Sequence, residues 1–242
     1  ARRLWPREPV RTDGRTQWHS VRRPRNRSVR LQGARPASQP NLLAGGHRGM
    51  NADSLRADGE GAAAALATAQ ALTGSASDAH ISVAAASSHW KPRAITDLAK
   101  QSSEAERLQG LAVAVLAGRA KTVRALMSAG ADPRSFFPAG YFPHCTALHL
   151  AVLEGQWACA VELLHAHDGD PFEGARLDRP LDKTFGATPL AWAEYAANAD
   201  TMRAKCQHAL AFYTAADCAT AGDVVGLEAT LLANPGLASS SI

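Results

Sequence analysis

The stretch "CTALHLAVLEGQWACAVELL", residues 145–164, decides the fold. It writes an apolar helix, a glycine, and at once a second apolar helix. Two short amphipathic helices joined by a tight turn cannot bury their faces alone, so they need neighbours of the same kind. The chain supplies them. "GLAVAVLAGRAKTVRALMSAGADP" (110–133) aligns with "ALHLAVLEGQWACAVELLHAHDGDP" (147–171), with Ala114 on Ala151, Gly118 on Gly155 and Leu126-Met127 on Leu163-Leu164. "ATPLAWAEYAANAD" (187–200) places Thr188 on Thr146, Leu190 on Leu148 and Ala193 on Ala151. "AADCATAGDVVGLEATLLANPGLA" (215–238) repeats the arrangement of helix, Gly222, helix and paired leucines, with about one residue of slippage.

Each recurring position has a physical task. Thr146 and Thr188 stand where a hydroxyl can accept from the free N–H groups of a helix start. Pro189 follows Thr188 at the first helical position, where its missing donor costs nothing. Small Ala114, Ala151 and Ala193 let adjacent helices approach. Gly118, Gly155 and Gly222 suit the positive φ of a tight turn, and Gly130 reads as a left-handed helix stop.

These copies resemble the ankyrin repeat, in a degenerate bacterial type with long finger loops. The likeness rests on "TALHLAVLEG" (146–155), "TPLAWAEYA" (188–196), "AGAD" (129–132) and the leucine pairs at 163–164 and 231–232, and it covers roughly residues 108–238. The family period is about 33 residues, whereas the spacings here are 37 and 42. The surplus falls between Asp132 and Thr146 and between Asp170 and Thr188, in the connecting fingers rather than the helices. The resemblance implies an all-α solenoid of helix–turn–helix units. It also implies that Val113, Leu150 and Trp192 face the concave groove in which partners dock. Packing of that strip against the chain's own fingers is the competing reading. The third copy departs from the pattern, with Lys205 and Cys206 where the leucine pair belongs. His149 has a family counterpart, but Ala112 and Ala191 replace it in the neighbouring copies.

The first finger, "RSFFPAGYFPH" (134–144), concentrates Phe136, Phe137, Tyr141 and Phe142 between prolines. It is either a rigid patch offered to a partner or a lid folded on the array, and partial self-packing is favoured.

The rest of the chain divides by composition. Residues 1–49 hold twelve Arg and no Lys against Glu8 and Asp13, while the remainder carries a net charge of −6 within the chain's overall +4. An Arg- and Pro-rich head of this kind cannot bury enough apolar surface to offset ordering entropy, and disorder is expected. Residues 50–107 read as a helical N-terminal cap or a degenerate repeat, with "GAAAALATAQALTG" (61–74) helical and a break near Pro92. Residues 108–242 form the array. The opening Ala and closing "LASSSI" suggest a fragment or a conceptual translation.

Cys145, Cys159, Cys206 and Cys218 form no C-x-x-C pair, and packed, reduced thiols are expected. On the repeat pattern, His144, His149, His165 and His167 do not converge with Cys145 and Cys159, so no metal site is expected. No nucleophile–base–acid arrangement or phosphate loop stands out. No run reaches the length of a membrane span. The expected function is a non-catalytic protein–protein interaction scaffold without cofactor, monomeric and cytoplasmic. The alternative is a nucleic-acid-binding protein that works through its Arg-rich head.

Overall fold

A computed structural model describes residues 49–71, 80–165 and 174–239 of the chain. The expectation of a disordered head falls on residues 1–48, outside the described residues, as do the helix stop expected at Gly74 and the His167 position. The described residues are all-α. Among them no strand forms, and two isolated bridges, Phe136 with Thr146 and Arg176 with Arg179, lie in the two long connections.

The chain opens with α1 (Ala52–Arg56) and α2 (Glu60–Ala71). Next come α3 (Ile81–Ala86) and α4 (Pro92–Gln101), separated near Pro92, which takes the first helical position of α4. Two helix pairs follow, α5 (Glu104–Leu116) with α6 (Ala120–Ser128) and α7 (Ala147–Leu153) with α8 (Trp157–Leu164). The last part holds α9 (Pro189–Trp192), a 3-10 turn (Ala193–Tyr195), α10 (Ala199–Ala221), α11 (Val224–Ala233) and a closing 3-10 turn (Pro235–Ser239). Helices α3, α5, α7 and α9 contact one another in succession, and α4, α6 and α8 do the same. Helix α2 packs on α3 and α5.

The turns show why the sequence folds this way. Gly118 donates to the Val115 carbonyl and Arg119 to that of Ala114, at 3.0 and 2.9 Å. Gly155 and Gln156 repeat the pattern on Val152 and Ala151, and Gly222 and Asp223 on Ala219 and Cys218. All three glycines take φ between +66° and +72°. This is the Schellman termination, in which a left-handed residue lets two amides satisfy the last free carbonyls, and a Cβ there would be strained. The third unit lacks the glycine. Ala197 occupies its place, and α9 ends after four residues in a 3-10 turn.

One continuous core unites α1 through α10 and the first finger. Leu111, Leu126, Leu148, Leu150, Leu163, Trp192 and Met202 are all fully buried in it. Helix α5 starts at Glu104, where Ser103 and Glu106 close a reciprocal capping box. Two expectations are corrected. The second helix of the third copy and the first helix of the fourth are one 23-residue helix, α10, with no Gly or Pro between Ala199 and Ala221 to interrupt it. Met202, Cys206 and Ala209 are its buried residues, so the chain shifts around Lys205. Leu231 does not share the layer of Leu126 and Leu163, for α11 buries none of its residues.

Candidate functional site

The residues expected to line a partner groove are mostly interior. Val113, Leu150 and Trp192 are each wholly buried. Val113 and Leu150 sit in the row α3, α5, α7, α9, and residues of α1 and α2 lie against that row. Leu55 of α1 is fully buried. The His144 ring bonds the Leu55 carbonyl through Nε2 at 3.2 Å, and Arg56 Nε meets Glu154 at 2.7 Å at the end of α7. The Phe142 amide donates to the Asp58 carbonyl, and the Gly61 amide to that of Gly140. Gly59 gives the reason for this close approach: any Cβ there would collide with the Phe142 ring. Phe142 itself adopts φ +58°, a strained value for an aromatic residue.

Trp192 is held by chemistry rather than offered to solvent. Its indole Nε1 donates to Asp182 Oδ2 at 3.1 Å, and its ring meets His149 edge-on with centroids 4.9 Å apart. Asp182 also accepts from the amides of Thr184, Phe185 and Ala187 at 2.6–2.9 Å, which closes the tip of the second long connection. Burial works to raise the Asp182 carboxyl. The donors from Phe185, Trp192, Ala187 and Thr184 outweigh it and hold the group below its ordinary range.

His149 joins two units. Nδ1 accepts from the Thr146 amide and lies 2.9 Å from its hydroxyl, and Nε2 reaches the Ala187 carbonyl at 3.2 Å. This requires the neutral ring with its proton on Nε2. Burial lowers its pKa to about 4, against smaller opposing effects of the Ala187 bond and the Asp182 charge. The signal for this link was present in the sequence as the single His at that position.

Of the first finger's aromatics, Phe137 and Phe142 are buried, while Phe136 and Tyr141 are half exposed. Lys183 stands over the Phe136 ring, 4.2 Å from its centroid, and its amide donates to the His144 carbonyl. Beside Lys183, Leu181 is 55% exposed. The two long connections thus meet at Phe136 and Lys183, with Leu181 exposed two residues before Lys183 and Tyr141 packed by Gly61. Sequence reasoning found the aromatic finger and missed Leu181 and Lys183, which belong to no repeated position.

The four cysteines are free thiols. Burial pushes Cys159 and Cys206 up to about 12, and burial with the Asp182 charge also raises Cys145 well above the ordinary thiol value. Such thiols are poor nucleophiles at neutral pH. Among the described residues, no three His, Cys, Asp or Glu side chains come together in a way that could hold a metal ion, and no helix is long and apolar enough to cross a membrane. Compared with known proteins, the chain matches no family model, no curated protein and no solved structure.

Proposed function

We propose that this chain is a non-catalytic protein–protein docking scaffold, an ankyrin-like stack of two-helix units that holds its long connections rigidly outward. The stacked reading is supported by one contact made twice. The Gln156 side chain abuts Gly118, and 42 residues on, the Asn198 side chain abuts Gly155. A repeated register of this kind is what units leaning on one another produce, each adding stability through its neighbour. The docking surface on this reading is the tips of the long connections: Phe136 and Tyr141 from the first, Leu181 and Lys183 from the second. The inner strip of Val113, Leu150 and Trp192 acts as core. A preorganised aromatic patch loses little ordering entropy on docking, and this is the advantage of mounting it on a rigid stack.

The test is affinity capture with the full chain as bait, beside a Phe136→Ala, Tyr141→Ala, Leu181→Ser triple variant. Loss of a captured protein with an unchanged far-UV spectrum supports the reading. Equal capture by both would remove the connection tips from consideration. The concentration of twelve Arg in residues 1–49 favours the second reading, nucleic-acid binding through that head. Salt-sensitive binding of a DNA duplex that vanishes when residues 1–48 are deleted would support it.

A further inference from the structure

Among the described residues, the apolar side chains least covered by the rest of the fold lie on α11. Val224, Val225 and Leu232 are 71, 78 and 76% exposed. Val225, Ala229 and Leu232 are spaced as one stripe on an α-helix, about 10 Å long at 1.5 Å per residue. The exposure departs from the internal pattern of the chain. Leu232 occupies the position that Met127 and Leu164 hold in earlier units, and those two are 1 and 3% exposed. Met127 lies on α6, which the following unit contacts through α8. Helix α11 packs on α10 and the closing 3-10 turn, and its outward stripe stays uncovered, with the length and spacing that another helix would match.

Charge narrows the identity of that helix. From Cys206 to the end the sequence has no Lys or Arg, while the exposed Asp223 and Glu228 stand at the start of α11 and within it; Asp217, on α10, is already paired with Arg176 at 3.0 Å. Glu228 is exposed, one turn from both Val225 and Leu232. Two copies of this end would bring like charges together across a dry stripe. An anionic lipid surface or a nucleic acid would meet the same repulsion. We propose that the α11 face docks a basic amphipathic helix of a partner protein, its apolar side on Val225, Ala229 and Leu232 and its cationic flank on Glu228 and Asp223. This rests on the reading of the chain as a docking protein but names a face separate from the connection tips.

The probe is a synthetic 18-residue helix with Leu on one face and Arg on both flanks, titrated against the full chain by fluorescence anisotropy. Its twin carries Glu in place of Arg. The Arg peptide is expected to bind, and roughly tenfold more weakly to a Val225→Gln, Leu232→Gln variant. Glu228→Lys is expected to weaken the Arg peptide several-fold and to strengthen its twin. Both variants alter exposed positions, and an unchanged far-UV spectrum certifies the fold. Three results overturn the proposal: equal binding of the two peptides, no binding of either, or affinity indifferent to these substitutions. Light scattering that shows the full chain self-associating, and the double variant monomeric, would assign the face to a second copy and overturn it equally. Any of these leaves the connection-tip reading standing, because that reading is measured on Phe136, Tyr141 and Leu181.

Discussion

The side-chain amide of Asn198 rests against Gly155 so closely that a Cβ on the glycine would lie 2.6 Å from Asn198 Oδ1. Gly155 holds φ +66° to end α7, and Asn198 precedes α10, so the turn of one unit is the seat of the next. Gly155→Ala is therefore expected to cost about 1–2 kcal/mol for the left-handed conformation, plus the displacement of Asn198. Urea denaturation of Gly155→Ala, Asn198→Ala and the double variant separates the two effects. If the contact is real, the double variant is more stable than the sum of the singles predicts.

His149 makes stability depend on pH in a definite window. Its pKa falls from 6.5 in the unfolded chain to about 4 in the fold. Between those values the unfolded chain binds a proton at this position and the folded chain does not. Stability therefore declines as pH is lowered from 6.5 toward 4, by about 1.4 kcal/mol per unit, or roughly 2–3 kcal/mol by pH 4.5. Above pH 6.5 the effect is absent. Denaturation midpoints at pH 7.5, 5.5 and 4.5 should converge between the wild type and His149→Gln as pH falls. Parallel curves would show that the ring does not titrate as its burial demands.

Asp182 acts below that window. Its carboxyl is held under the ordinary value, so its contribution is complete above about pH 4 and is lost only as pH drops through its folded value. Trp192→Phe keeps the buried ring and removes one charge-assisted donor. The expected loss is about 1.5–3 kcal/mol at pH 7, shrinking as pH falls through the carboxyl's folded value and the group takes up its proton. A loss that stays constant with pH would mean that packing of the indole, not its N–H, is what matters.

The segment of α1 and α2 is seated through Gly59. Gly59→Ala puts a methyl into the Phe142 ring at a position with no positive φ, so the contact alone is altered. Amide hydrogen exchange over residues 50–61 is expected to accelerate at least several-fold, with α5 to α8 unchanged. Adding Phe142→Leu should restore part of the protection. Uniform acceleration along the chain would show instead that this segment and the core open together.

The turns of this fold were legible because they depend on backbone chirality. Gly118, Gly155 and Gly222 recur at one place in the pattern, and only a left-handed stop explains three glycines there. The long connections were legible because the similar stretches of sequence recur at spacings of 37 and then 42 residues, more than two short helices and a turn need. The start of α5 was written as Ser103 and Glu106, a spacing that marks a capping box, and could have been read. The burial of Val113 and Leu150 could not. The cover is α1 and α2, far away in sequence, and α2 is a run of alanines with little bias toward any face. For Trp192 the sequence left docking and packing on the chain's own fingers open, and its partner, Asp182, stands in a connection that no repeat register aligns.

The ion pair of Arg56 with Glu154 spans 98 residues of chain. The helix pairs draw on neighbours a few dozen residues away, so they can form as the chain emerges. Helix α1 instead makes long-range polar contacts with His144 and Glu154. At typical synthesis rates of about 5–20 residues per second, α1 waits roughly 5–20 seconds before the end of α7 exists. For that interval the Arg56 guanidinium has no carboxylate to meet. A helix made before the other described ones is thus fastened only after α7 is complete.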